Sequence, residues 1–155
     1  MKEQNYGADW GDFVTFSRRM KQTAGNMGAD MLLIDTGDLH DGTGLSDATK
    51  LDGEKSMPVF DEIDYDLLAI GNHELYKSEV SYQMFNQYAK KWGDKYLTSN
   101  VKILNPATNE FEYVGATHRY FTTPKGLRIM AFGVLYDFTG KSQSVTQFYP
   151  NSDNF

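Results

Sequence analysis

With 155 residues, 40% hydrophobic and 23% charged, the chain has the size and composition of one folded domain with a sizeable core. Its formal net charge of −6, with no basic cluster beyond the short "SRRMK", argues against a nucleic-acid duplex as partner, because phosphate backbones need a basic face. It has no cysteine, which excludes disulfides and thiolate metal sites; no apolar run approaches the roughly 18 residues that span a bilayer, and "MKEQNYGADW" carries no apolar signal core.

The first periodic segment runs from about Trp10 to Ala24. Trp10, Phe13, Val14, Met20, Ala24 and Met27 fall near a 3.6-residue period and predict one apolar stripe on a helix, with Asp9 as its N-cap and Gly25 or Gly28 as its stop. "DMLLID" follows, a short continuous apolar run that suits a strand buried on both faces of a parallel sheet. Residues 36–53, rich in Gly, Asp, Thr and Ser, read as a loop. A short helix is expected from Ser56 to Ile63, with Pro58 in its first turn, where a missing N–H costs nothing. "YDLLAI" gives a second buried strand. "SEVSYQMFNQYAKKWG" predicts a third helix with Val80, Met84, Tyr88 and Trp92 on one face and Gly93 at its end. "YLTSNVKIL" reads as one further strand, and "THRYFTT" and "LRIMAFGVLY" as a hairpin around the turn "PKG". The last stretch, "GKSQSVTQFYPNSDNF", shows neither period and reads as an irregular tail.

Alternation of helix and strand implies an α/β fold with right-handed crossovers, in which ligands bind beyond the carboxyl ends of the strands. "DTGD" (Asp35–Asp38) and "GNHE" (Gly71–Glu74) both follow buried strands, so the two turns are expected side by side on that edge. Asp38 and Asn72 are then candidate metal ligands. A carboxylate can bridge two cations and an amide oxygen can join a hard, oxygen-rich shell. His73 beside them can be a ligand or a proton donor. The glycines before Asp38 and Asn72 permit tight turns and close approach of a ligand to the backbone. Together these parts suit metal-assisted hydrolysis of a phosphate ester, with cations neutralising phosphoryl oxygens and activating water.

Each candidate also has a plainer role. Asp38 can cap its turn, and Asp35 can hydrogen-bond its own loop. His40 stands in an Asp-x-His spacing with Asp38 and is a weaker ligand candidate. Asp41 and Asp47 read as solvated loop acids. Glu74 reads first as a hydrogen-bonding partner for the loops, and His118 as a surface or partly buried histidine. Phe13, Phe85, Tyr88 and Trp92 lie at helical spacing and read as core.

The ordered set "GDLHDGTG", "GEKSMPVFDEIDYDLLAIGNHE", "TSNV" and "GLRIMAFGV" resembles the calcineurin-like metallophosphoesterases, and within them the 5′-nucleotidase-related branch in its fungal wording. The resemblance covers roughly Gly7 to Gly140. It implies part of a four-layer α/β/β/α sandwich with a mostly parallel sheet, and a dinuclear centre of Zn, Mn, Fe or similar divalent ions. It implies that Asp38 bridges both metals, that Asn72 binds the second, and that His73 contacts the scissile phosphate or protonates the leaving group. Asn100, Glu74 and His40 become candidates for supporting or phosphate contacts.

The departures are specific. The family's opening Asp-x-His pair and its later histidine and Gly-His-x-His ligands have no counterpart here. The expected organisation is therefore a partial phosphoesterase domain over residues 1–140 and an irregular tail over 141–155, without the first strand, the C-terminal ligand region or the C-terminal domain that grips the base in nucleotidases. Many nucleotidases also place an Asp three residues after the motif histidine to orient its ring, and here that position is Tyr76. Three function classes remain open: a metal-dependent phosphoesterase acting on a small phosphate ester, a non-catalytic fragment or remnant of one with an incomplete metal site, or, from fold alone, a small-molecule-binding α/β module without catalysis.

Overall fold

The computed structural model describes residues 7–42, 44–136 and 145–148. Helix α1 (Trp10–Asn26) starts at the expected cap. The Asp9 side chain accepts the Asp12 N–H at 3.0 Å, and Asp12 returns the contact to the Asp9 N–H at 2.9 Å. Its buried face is not the apolar stripe of the sequence, however. Phe13 and Val14 pack against the core, while Met20 and Met27 are exposed and Trp10 is half-exposed, edge-on to Phe60. The inward face continues through buried Ser17, then Lys21 and Ala24. Two of these positions are polar and have partners: Ser17 Oγ donates to the Val14 carbonyl, and Lys21 Nζ reaches Asp66 at 2.8 Å and Asp64 at 3.3 Å. A hydrophobic pattern misses a face built this way.

Strands β1 (Ile34–Asp35), β2 (Leu67–Ala69) and β3 (Tyr96–Leu97) form a parallel sheet in that order, with Ile34 opposite Leu67 and Leu68 opposite Tyr96. Leu67, Leu68, Tyr96 and Leu97 are buried, as a covered parallel sheet requires. The outer strand departs from the expectation of burial on both faces: Ile34 is 53% exposed. Among the described residues β1 pairs on one edge only.

Two helical segments carry the crossovers. α2 (Met57–Phe60) is shorter than the expected Ser56–Ile63 helix and continues as turns to Ile63. α3 (Ser78–Gln83) runs through a π-helical turn, Met84–Tyr88, into α4 (Ala89–Trp92). The π turn explains a feature of the sequence. Val80, Met84, Tyr88 and Trp92 are spaced by four, and in a regular α-helix each such step drifts by roughly 40°. The wider turn takes up that drift, so Val80, Met84 and Tyr88 all face the core at 1%, 0% and 1% exposure.

"YLTSNVKIL" is two strands, not one. After β3 the chain turns through Thr98, Ser99 and Asn100 into β4 (Val101–Asn105), which lies antiparallel between β5 (Glu110–Tyr113) and β8 (Thr146–Phe148). Three consecutive buried polar side chains make the corner. Thr98 Oγ1 accepts the Gly115 N–H, Ser99 Oγ donates to the Thr117 carbonyl and accepts the Gly133 N–H, and Asn100 bonds the backbone of Leu135. β8 lies within 141–155, so that stretch is not wholly irregular; its other residues, apart from Val145, lie outside the described ones. The expected hairpin forms as β6 (Arg119–Thr122) and β7 (Arg128–Ala131), paired only with each other among the described residues. Among the described residues the parallel strand pairs lie in the first sheet, and a single parallel bridge joins Leu97 at its edge to Ala116. The core sits beneath it, around Ile63, Leu68, Leu75, Met84, Tyr88 and Ile103.

Candidate active site

The loops after β1 and β2 meet backbone to backbone. Gly37 has φ +91°, and a Cβ placed on it would lie 2.1 Å from the Gly71 nitrogen. A Cβ on Gly71 would lie 2.2 Å from Asp38 Oδ1 and 2.3 Å from the Asp38 nitrogen. Only glycine fits at either place. This contact brings Asp38 to "GNHE", as the strand ends imply: the His73 N–H donates to Asp38 Oδ1 at 3.1 Å. Asp38 itself holds φ +60°, a conformation uncommon for a residue with a side chain.

Glu74 holds that conformation in place. It is fully buried, and its two oxygens accept the N–H groups of Asp38 (2.9 Å), Leu39 (2.6 Å), His40 (3.2 Å) and Gly71 (2.8 Å). His40 Nδ1 lies a further 2.9 Å from Oε1. Burial alone pushes the Glu74 carboxyl up, but the His40 contact and the backbone N–H groups outweigh it and leave it below its ordinary value. The expected loop-bonding role of Glu74 is what the geometry shows. His40 turns inward to Glu74 and is buried. Its Nε2 has no hydrogen-bond partner among the described residues and faces Gly53, where a Cβ would lie 2.3 Å away.

Asn72 and His73 open a short 3₁₀ turn, His73–Leu75. The Asn72 amide donates to the Tyr76 hydroxyl at 2.5 Å, and the Tyr76 ring meets His73 edge-on with centroids 4.8 Å apart. His73 Nδ1 lies 3.2 Å from Asp41 Oδ2. Asp41, which reads from sequence as a solvated acid, is therefore part of the site. Its signal was its place three residues after Asp38 in a Gly- and Asp-rich loop, too common a pattern to single it out. Asp47 accepts the Gly42 N–H and stays outside the cluster. Asp35 bonds the Gly37 N–H at 2.8 Å, and burial lifts its carboxyl above the ordinary value. Asn100 is engaged with Leu135 at both ends of its amide, and His118 lies on the surface against Tyr120.

The donors present suit a divalent cation in kind. Asp38 and Asn72 offer carboxylate and amide oxygens at the ligand edge of a parallel sheet. They do not close a coordination shell alone: among the described residues, no group of three or more His, Asp or Glu could hold a metal ion.

An α/β core with these two turns at its strand ends is the fold of a calcineurin-like phosphoesterase. The chain belongs to that family, whose model matches residues 8–151. It is 57% identical over 142 residues to a protein of Arthroderma benhamiae described as a secreted protein, covering 92% of this chain and 21% of that one. An uncharacterised protein of Schizosaccharomyces pombe is 42% identical, over 93% of this chain and 24% of its own length. The structure of this chain is similar to the crystal structure of 5′-nucleotidase from Candida albicans, with a TM-score of 0.89 and 48% identity, covering 94% of this chain and 27% of that one. The chain thus spans about a quarter of the length of the proteins it matches.

Proposed function

We propose that this sequence supplies one wall of the active site of a metal-dependent phosphoesterase that hydrolyses phosphate monoesters, 5′-nucleotides among them. The observation that carries the reading is the juxtaposition of Asp38 with Asn72 and His73, locked by Glu74 at the ligand edge of the sheet. Family membership and the likeness to a 5′-nucleotidase support it.

Asp38 and Asn72 would hold divalent cations such as Zn, Mn or Fe, in a shell completed by further donors. Bound there, the cations draw charge from the phosphoryl oxygens and make water a better nucleophile. The protein's own part is positioning and proton handling. Glu74 fixes the two turns, so the Asp38 and Asn72 oxygens are presented without reorganisation at the moment of reaction. His73, half-exposed beside them, donates to the phosphate or to the departing oxygen.

The test is metal content by mass spectrometry on the purified protein, beside Asp38→Ala and Asn72→Ala, followed by hydrolysis of p-nitrophenyl phosphate and AMP. Stoichiometric metal that both substitutions remove, with turnover that falls in step, is the expected result. A folded protein with no stoichiometric metal and no turnover would overturn it. That outcome favours the second reading, a non-catalytic remnant, which rests on the lack of a three-ligand group among the described residues.

A further inference from the structure

We propose that the pocket between α2 and the π-helical turn is a binding site for a small primary ammonium ion on a short apolar stem. The pocket shares no residue with the Asp38–His73 cluster, and its chemistry is independent of the phosphoesterase reading.

The pocket has a volume of about 250 Å³. Gln83 and Tyr88 both line it, although they stand five positions apart. In a regular α-helix such a pair points roughly 140° apart. Here the Ala89 N–H bonds the Met84 carbonyl, five positions back, and the wider turn lets both side chains reach the same pocket. Turns of this kind are rare and gather at functional sites.

The groups so gathered are polar and unsatisfied. Gln83 is 7% exposed, and its Oε1 has no hydrogen-bond partner among the described residues. Asp61, at the end of α2, gives Oδ2 to Lys91 Nζ and keeps a buried Oδ1 with no partner among them. The buried Tyr88 hydroxyl makes no bond of ordinary geometry and has the Trp92 indole N–H beside it. Buried acceptors are nearly always matched by donors, so two in one pocket call for a donor from outside the chain.

The surroundings select that donor. Asp61 and Glu54 set two negative charges against the one positive charge of Lys91, which favours a monocation and disfavours an anion. Met57 and Pro58 make an apolar wall. A bare metal ion would fill little of the volume and leave that wall uncovered, with too few oxygens for a hard cation's shell. Water would satisfy the oxygens but would neither balance the charge nor cover the wall. A primary ammonium carries three N–H donors and no acceptor, which matches Asp61 Oδ1, Gln83 Oε1 and the Tyr88 oxygen. Its carbon stem covers Met57 and Pro58 on the way out.

The test titrates n-butylammonium into the full 155-residue chain, followed by ¹H–¹⁵N correlation. The expected result is saturable shifts at the Gln83 side-chain amide and the backbone amides of Asp61 and Tyr88, with a Kd of about 1 mM or tighter. Tetramethylammonium has the same charge and no donor, and should move none of them. The absence of a saturable response overturns the proposal. So does an equal response to tetramethylammonium, or shifts scattered over the acidic surface, which is counter-ion pairing only. Nα-acetyl-lysine N-methylamide separates the two sources of such an ion: binding of both probes supports a polypeptide lysine as the occupant, and binding of butylammonium alone supports a free amine.

Two variants complete the test. Asp61→Asn keeps an oxygen in place and removes the charge; Lys91 is more than half exposed, so the fold tolerates the loss of their ion pair. It should weaken butylammonium by about 10-fold. Gln83→Met fills the same space without an unmatched acceptor. It should weaken butylammonium too and, with no ion present, raise the melting temperature. A glutamine that serves the fold alone would lower the melting temperature when replaced. That outcome, or an unchanged affinity in both variants, overturns the proposal.

Discussion

Glu74 Oε2 accepts the N–H of Asp38 at 2.9 Å across 36 positions of sequence, so the end of one strand loop is set by the end of the other. The same carboxylate gathers three more backbone N–H groups and the His40 ring. A buried charge is tolerated only when it is this fully bonded. Glu74→Gln keeps the shape but turns an NH₂ group toward donors, leaving N–H groups unmatched. The expected cost is about 3 kcal/mol of stability. Urea denaturation of the variant against the parent measures it.

Acid should act on the same residue. The Glu74 carboxyl lies below its ordinary 4.5 when folded, since the His40 contact and the N–H groups of Asp38 and Gly71 outweigh burial. A group lowered in this way contributes stability that is whole above its unfolded value. That stability is lost as the pH falls through the folded value. The parent should therefore lose stability on acidification below about pH 4.5, and Glu74→Gln, with nothing to protonate there, should show a flatter profile over the same range. Chemical denaturation at a series of pH values compares the two slopes. Equal slopes would remove Glu74 from the explanation of acid sensitivity.

Two glycines give opposite expectations from the same substitution. At Gly71 a Cβ would lie 2.2 Å from Asp38 Oδ1, 2.3 Å from the Asp38 nitrogen and 2.8 Å from Glu74 Oε2, so alanine must drive the two turns apart. Gly25, in the last turn of α1, has nothing within 4 Å of a Cβ and no positive φ. Gly71→Ala should lower the melting temperature and any metal retention together. Gly25→Ala should raise stability by roughly 0.5–1 kcal/mol, through helix propensity alone.

What could be read from the sequence follows the physics of each signal. Strand ends that stop in glycine and a polar residue place Asp38, Asn72 and His73 together, because sheet topology fixes where such ends go. The N-cap at Asp9 was legible because its signal is local. Contacts whose partner lies far along the chain were not. Asp41 meets His73 from another loop, Ser17 and Lys21 complete a buried helix face with polar atoms, and Thr98, Ser99 and Asn100 break a continuous strand pattern through bonds to distant backbone. β5 and β8 are short, and β8 sits in a polar stretch without alternation, so neither gave a period to find.

Asn100 offers the sharpest separation of fold from chemistry. From the family pattern it is a candidate phosphate contact. In the structure its amide donates to the Leu135 carbonyl at 2.8 Å and accepts the Leu135 N–H at 2.9 Å, taking the place of a strand neighbour. It is 2% exposed, so these bonds form away from water and leave buried backbone groups unmatched if removed. Asn100→Ala should cost about 2 kcal/mol and speed hydrogen exchange at the Leu135 amide. Asn100→Asp separates the two bonds: it still accepts the Leu135 N–H but sets a carboxylate against the Leu135 carbonyl, so exchange should rise less than in Asn100→Ala while stability falls at least as far. A residue serving phosphate first would behave differently, weakening retention of inorganic phosphate with Leu135 exchange unchanged. Measuring exchange and phosphate binding on the same two variants assigns Asn100 to the corner of the sheet or to the ligand.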